Sequence, residues 1–252
     1  MNIVTWNVNS IKARLEHAQR FLKENAPDVL MMQELKTEDF PASAFEGYQA
    51  VFAGQKTYNG VAVLSKNPIK IILERLPGDD EDTQARYLEC ETAGVRIINI
   101  YLPNGNPVES EKYPYKLRWM DRLYAHLKNL RDQNIPFIVG GDFNIIPEDQ
   151  DCHDPKTWAE DALFRLESRA KFRRLLNLGL TDAFRIFDTR PKQYSYWDYQ
   201  AGARPKNYGI RIDHFLLSPE MADRARACRI DDAPRDWEKP SDHVPVILKI
   251  AA

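Results

Sequence analysis

Asp142 and Asn144, in the stretch "GGDFNIIP" at 140–147, place a carboxylate and an amide where the apolar run "PFIV" would otherwise simply end. Side chains alternate along a strand, so a strand continued through this stretch sends Asp142 and Asn144 to one side and Phe143 to the other. A strand closing in a turn also explains the pair, because Asp and Asn bond readily to local backbone. The same oddity recurs along the chain. Asn7 lies near the end of "TWNVN", Glu34 closes "LMMQE", Tyr101 closes "RIINIY", Asp213 sits in "GIRIDHF", and Asp242 with His243 opens "DHVPV". Carboxylates, carboxamides, a phenol and an imidazole at comparable places in separate strands are the groups that metal-assisted hydrolysis requires. Mg²⁺ takes oxygen ligands, commonly one or two carboxylates with water and substrate phosphate. Phosphodiester cleavage further needs an activated water and stabilisation of charge on the phosphoryl and leaving oxygens. No CxxC, HExxH or phosphate-cradling Gly-rich loop points to a rival chemistry.

Two histidines need separate treatment. An imidazole in a catalytic role needs a carboxylate to orient it, and for His243 the candidate is Asp213. His214 directly follows Asp213, faces the opposite side of its strand, and reads as structural.

The elements that must position these groups are many short strands and fewer helices. Strands are expected at 2–8, 28–34, 48–53, 61–66, 69–76, 86–92, 95–102, 136–144, 194–199, 211–217, 227–231 and 244–250. Helical spacing of Ile11, Leu15, Ala18, Phe21 and Leu22 predicts a helix over 11–25, with Pro27 just beyond it. A second is expected over 114–133, and a third near 168–178 with Ser168 as N-cap and Gly179 at its end. Strands and helices do not alternate strictly, which argues against a regular parallel barrel and for two sheets with helices outside. The segments 77–85, 103–113, 145–160 and 200–210 read as long functional loops.

The 252 residues carry no composition shift, linker or fixed-period repeat, so one domain spanning 1–252 is expected. Lys and Arg number 35 against 37 Asp and Glu, a net charge of −2, so any polyanion must be met by a local basic face. Three cysteines without CxxC spacing argue against a disulfide framework and a zinc site, and suit a reducing cytoplasm. The N-terminus lacks a leader pattern and no apolar run is long enough to span a membrane.

Taken in order, "TWNVNS", "PDVLMMQELK", "GQKTYNGVAVLSK", "LPGDDED", "IYLPNG", "GGDFNIIP", "YSYWDYQ", "IRIDHFLLS" and "EKPSDHVPV" resemble the motifs of the exonuclease III family of DNA-repair nucleases, within the endonuclease/exonuclease/phosphatase superfamily. The resemblance covers nearly the whole chain. It implies an α/β fold, a four-layer αββα sandwich of two mainly antiparallel sheets packed face to face with helices outside. It also implies Glu34 as principal metal ligand with Asn7 and Asp242 near the same ion. Asp142 then orients or deprotonates the attacking water, Asn144 helps to hold water and phosphate, Asp213 fixes His243, His243 contacts a phosphate oxygen, and Tyr101 lies near the phosphate. The cofactor implied is Mg²⁺, with Mn²⁺ able to substitute.

The superfamily also includes phosphatases and lipid phosphodiesterases, so the substrate must be read from residues outside the catalytic set. Lys56, Tyr58, Asn59 and Asn104 are candidate DNA contacts, with Tyr196, Trp197, Arg204 and Lys206 in later loops. Asn207 and Arg211 lie in the same region, and at least one of Trp197 and Tyr199 is expected to pack in the core. The resemblance to the repair branch implies a small apolar pocket for a baseless sugar, and by motif Tyr196, Ile210 and Ile212 are its nearest candidates. The acidic run at 79–82 is expected to face solvent. Ile210 stands where some relatives carry a large aromatic, and the segment 152–167 is less family-like than its flanks. The expected activity is Mg²⁺-dependent cleavage 5′ to abasic sites in double-stranded DNA, with removal of 3′-blocking groups or nucleotides, by a monomer. The alternatives are a 3′-end-specialised exonuclease or phosphatase, a superfamily phosphodiesterase on a non-DNA substrate, and a silent DNA-binding module.

Overall fold

A computed structural model describes residues 1–251. In chain order the strands of the first half are β1 (Asn2–Asn7), β2 (Val29–Gln33), β3 (Gln49–Ala53), β4 (Val61–Ser65), β5 (Ile69–Leu73) and β6 (Tyr87–Thr92). They are followed by β7 (Val95–Tyr101), β8 (Phe137–Asp142), β9 (Thr181–Asp182), β10 (Asp213–Leu217), β11 (Ala225–Ile230) and β12 (Val246–Ile250). The helices are α1 (Ile11–Asn25), α2 (Lys112–Asp132), α3 (Pro155–Trp158), α4 (Leu166–Leu176), α5 (Ala183–Phe187) and α6 (Pro219–Arg224).

Period-two alternation sorts the strands into two six-stranded sheets, ordered β11-β12-β1-β2-β4-β3 and β5-β6-β7-β8-β10-β9. Ile3, Val29, Met31 and Val63 of the first sheet meet Leu88, Ile97, Ile138 and Phe215 of the second in one buried layer. The alternate residues Val4, Trp6, Leu30 and Met32 face outward and are covered by Ile11, Ala18, Phe21 and Leu22 of α1. On the far side Ile98, Ile100, Phe137 and Val139 pack under Trp119, Leu123 and Leu127 of α2 and Phe172 of α4. The result is the αββα sandwich. Each sheet is antiparallel except for one parallel pair, β1 with β2 and β7 with β8. A parallel pair needs a crossover, and α1 and α2 are those two connections.

Two glycines before Asp142 are sterically required. A Cβ on Gly140 would lie 2.5 Å from the Phe215 ring, and one on Gly141, at φ 145°, would lie 2.0 Å from the Ile100 carbonyl oxygen. They let β8 sit close between β7 and β10, so that its last residue falls in register with theirs.

Several boundaries differ from expectation. The segment 194–199 is not a strand, and Tyr196 makes only isolated bridges to Ile210 and His243. The last strand starts at Val246 because Pro245 has no N–H to give a ladder. The third helix starts at Leu166, and Ser168 is not its N-cap: its hydroxyl is buried inside the helix and donates to the Ala162 carbonyl at 2.7 Å. Asp82 of the acidic run is not solvated, since Arg122 (2.7 Å) and the Tyr115 hydroxyl hold it against α2.

Candidate active site

The inward-facing alternation ends in polar residues at one edge of the inter-sheet layer. Tyr101 is the register partner of Asp142, and Asp142 of Asp213, so three adjacent strands present a phenol and two carboxylates in one row. Opposite them Asn7 closes β1 beside Gln33. Beyond Asp142 the ladder stops. Asn144 is left-handed, φ 47°, and its backbone N–H donates to Asp142 Oδ1 at 2.8 Å. The turn and the shared direction are therefore one structure, with Asn144 Nδ2 3.3 Å from Asp142 Oδ2. Phe143 turns into the core against Phe172 and His214.

Asp142 is buried and held from several sides. Its Oδ2 accepts from Asn7 Nδ2 at 2.9 Å, and the same amide nitrogen donates to Glu34 Oε2 at 3.0 Å. Asn7 thus ties the two carboxylates together, while its Oδ1 accepts from the Asn9 backbone N–H at 2.9 Å. Burial pushes the Asp142 carboxyl up to about 7, with His243 acting against that and Asp213 acting with it. His243 donates from Nδ1 to Asp213 Oδ2 at 2.9 Å and holds Nε2 3.7 Å from Asp142 Oδ2. Burial alone would lower the His243 pKa, but Asp213 and Asp142 overcome it and push the imidazole up to about 10. It is therefore an imidazolium at neutral pH. Ligating atoms of Asp142, Asp213 and His243 lie within 4.8 Å of one another, close enough either to share protons or to hold a metal ion.

Glu34 stands apart from that trio with φ 58°. Burial would raise its pKa, but Lys36 Nζ at 2.9 Å and the Asn7 amide hold it below the ordinary carboxylate range. Lys36 also donates to Asn9 Oδ1 at 2.7 Å, and Asn9 Nδ2 donates to Asp242 Oδ1 at 3.0 Å. Glu34 and Asp242 are thereby linked through Lys36 and Asn9. Carboxylate and amide oxygens at this edge, with an ammonium already drawn to Glu34, make a donor set suited to a hard cation. Burial, with the charges of Glu34 and Asp142, raises the Tyr101 phenol well above its usual range, so it stays a protonated donor.

These groups line a cleft of about 440 Å³. Its polar side holds Glu34, Tyr101, Asn104, Asp142, Asn144, Asp242 and His243, and its apolar wall is Tyr196, Ile210, Ile212, Leu163 and Trp158. Tyr196 sets its ring against the imidazole of His243, 4.9 Å between centroids. A second groove of about 610 Å³ shares Asn104 and Asn106 with the cleft and brings in Tyr58, Asn59, Arg86 and Lys112. Lys56 and Lys206 are exposed and line neither. Trp197 does not reach the cleft: it is buried with Tyr194 and Val244, as expected for one of the two aromatics. Arg204 is engaged by Asp232 and Asp236, each at 2.9 Å, over the Trp197 ring. Arg211 is buried and joins Asp151 (2.7 Å) to Asp182 (2.8 Å) behind the pocket wall. His214 points away from the cleft, with Nε2 donating to the Ile145 carbonyl at 3.0 Å and Nδ1 facing Arg211.

Lys36, Asn9, Asn106, Trp158, Leu163 and Ser195 were not singled out by sequence. Ser195 donates to Asp213 Oδ2 at 2.6 Å and accepts the Asp213 backbone N–H, so that Oδ2 is held by both Ser195 and His243 while Oδ1 is buried without a partner. Only their positions next to Glu34, Asn7, Asn104 and "YSYW", or within 152–167, pointed to them.

Residues 4–243 match the model of the Endonuclease/Exonuclease/phosphatase family. The chain is 35% identical to exodeoxyribonuclease III of Haemophilus influenzae, with 98% of each chain covered. It superposes over 100% of both chains on an AP endonuclease from Archaeoglobus fulgidus, at TM-score 0.95 and 37% identity. The same full coverage holds for a 3′–5′ exonuclease from Neisseria meningitidis, at TM-score 0.96 and 39% identity. With a family match across most of its length and a cleft built from the residues that carried the resemblance, the chain belongs to the endonuclease/exonuclease/phosphatase family, a family of metal-dependent hydrolases.

Proposed function

We propose that this protein is a Mg²⁺-dependent DNA-repair phosphodiesterase that cleaves 5′ to abasic sites in duplex DNA and clears blocking groups or nucleotides from 3′ ends. The observation that carries the reading is the arrangement, in one cleft, of the buried Asp142 carboxylate, held by Asn7 and Asn144, and the His243 imidazole 3.7 Å from it and fixed by Asp213. Glu34 and Asp242 would hold the ion, Mg²⁺ or Mn²⁺ in its place, with Asn7 beside them. Bound there, the cation neutralises charge on a phosphoryl oxygen. Asp142 accepts a proton as water attacks phosphorus, a task for a base whose pKa lies near working pH. Asn7 and Asn144 fix its two oxygens. His243 Nε2–H faces the developing phosphoryl charge while Asp213 holds Nδ1. Tyr101 offers a second neutral donor.

DNA as substrate is supported by the relatives' activities and by the groove that continues the cleft past Tyr58, Asn59, Arg86 and Lys112, side chains of the kinds that grip a phosphate backbone. Tyr196, Ile210 and Ile212 supply an apolar wall suited to a sugar without its base. All these groups come from one chain, which supports a monomeric enzyme read as one catalytic unit. Three free, buried cysteines support a reducing, cytoplasmic setting, and no helix among the described residues is long and apolar enough to cross a membrane.

One observation favours the 3′-end-specialised alternative. Leu163 and Trp158, from the segment 152–167 that is less family-like than its flanks, add bulk to the pocket wall. A single panel of labelled duplexes decides: an internal abasic site, a 3′-phosphate, and an undamaged recessed 3′ end. The main reading expects metal-dependent cleavage of all three. Cleavage at 3′ ends alone moves the assignment to the alternative, and no cleavage of any duplex in Mg²⁺ or Mn²⁺ overturns both.

A further inference from the structure

Lys116 lies on the buried stripe of α2 with Tyr113, Met120 and Leu123, at spacings of three, four and seven residues, and its side chain is wholly enclosed. Its partners are carbonyls, not carboxylates. Nζ donates to the main-chain oxygen of Asn104 at 2.9 Å and of Asn144 at 2.6 Å. Burial pushes the ammonium down to about 7, against the charges of Asp161 and Asp142. A lysine is seldom sealed in this way without a counter-ion, since burying a charge is costly.

The two carbonyls belong to residues whose side chains also meet. Asn104 Nδ2 donates to Asn144 Oδ1 at 3.0 Å, and Asn144 Nδ2 donates to the Leu102 carbonyl at 2.9 Å. Asn144 then presents its N–H to Asp142. Neither asparagine belongs to a strand: the last inter-strand backbone bonds run from Leu102 N–H to the Asp142 carbonyl and from Phe143 N–H to the Ile212 carbonyl, both at 2.9 Å, short of Asn104 and Asn144. Gly105 shows how closely they wrap the lysine, because a Cβ there would lie 2.7 Å from Lys116 Cδ.

We propose that Lys116 is a positioning residue for hydrolysis, clamping the Asn104 and Asn144 loops to α2 so that Asn144 holds Asp142 in its working orientation. The inference rests on the reading of the cleft as a phosphodiesterase site. Lys116→Met keeps the apolar stem and removes the donor. In steady-state cleavage of a recessed 3′ end, well below the variant's Tm, kcat is expected to fall about 10–100-fold, as for a misplaced catalytic group. KM should change less than kcat, since Lys116 itself lines neither the cleft nor the groove, and any KM change reports the Asn104 loop that the same clamp holds. In an Asp142→Asn background, where the base that the clamp positions is already gone, Lys116→Met should cost less than about 3-fold further, because residues acting through one another are not additive. If Lys116→Met does not fold, Lys116→Gln, which keeps a shorter donor, is measured in the same cycle. A kcat within about 2-fold of the parent, or an undiminished loss in the Asp142→Asn background, overturns the proposal. A parent that cleaves no DNA refutes the functional reading instead.

Discussion

Arg211 lies next to the catalytic strand in sequence and by charge alone would pass for a phosphate contact. The structure gives it a different task, and Arg211→Met separates the two. Its guanidinium is 1% exposed, with Nε on Asp151 Oδ1 at 2.7 Å, Nη2 on Asp151 Oδ2 at 3.1 Å and Nη1 on Asp182 Oδ2 at 2.8 Å. Removing one partner of a buried ion pair costs about 3–5 kcal/mol, because the other charges stay behind. Arg185 still reaches Asp151, and Asp182 keeps the Phe184 N–H at 3.1 Å, so the lower end applies. About 3 kcal/mol in a chain of this size lowers Tm by about 6–12 °C. The pocket wall should loosen with it, since Ile210 and Ile212 flank Arg211. The assay pairs thermal unfolding with the salt dependence of DNA binding. The expected result is the large Tm loss with an unchanged slope of log K against log salt. Removing the stranded charge as well, in Arg211→Met with Asp151→Asn, should recover part of the Tm. A Tm within about 2 °C of the parent and a slope reduced by about one would refute the reasoning and make Arg211 a phosphate contact.

Three further outcomes follow from the cleft. Asp142→Asn should lower kcat by about 10²–10⁴-fold with Tm near the parent's, because relief of a buried charge offsets the amide's poorer match to Asn7 and Asn144, and a rate loss below 10-fold would exclude Asp142 as general base. In EDTA, where no metal interferes, the Asp213–His243 pair should make stability fall with pH. A folded-state pKa near 10, above the ordinary 6.5, contributes stability fully present below about 6.5 and lost as pH rises through 10. Tm followed from pH 6 to 10.5 should show this decline in the parent and not in Asp213→Asn, and parallel curves would count against it. EDTA should abolish cleavage reversibly, and Glu34→Gln should raise the Mg²⁺ needed for half-maximal rate by at least about 10-fold; activity in EDTA would remove the metal from the mechanism.

Local rules made the catalytic row legible in the amino-acid sequence. Period-two alternation depends only on backbone geometry, so Asn7, Tyr101, Asp142 and Asp213 could be assigned to strand ends, and His214 to the opposite face, before any strand was paired. Helix α1 was bounded for the same reason, by spacing and a nearby proline. The αββα arrangement followed from ordered motifs rather than from periodicity. Boundaries slipped where chemistry beyond propensity intervened, as at Pro245 or in the turn that Asn144 makes with Asp142.

What a charged side chain faces was decided only by the tertiary structure. Arg204, Arg211 and Lys116 are basic residues near the site in sequence, yet Arg204 is held by Asp236, Arg211 by Asp151 and Lys116 by the carbonyls of Asn104 and Asn144. Those partners lie up to 60 residues away along the chain, on loops that no local preference ties together. A side chain's alternation is fixed by its neighbours in sequence, whereas its burial and ion partner are set by which distant segments the sheets bring against it.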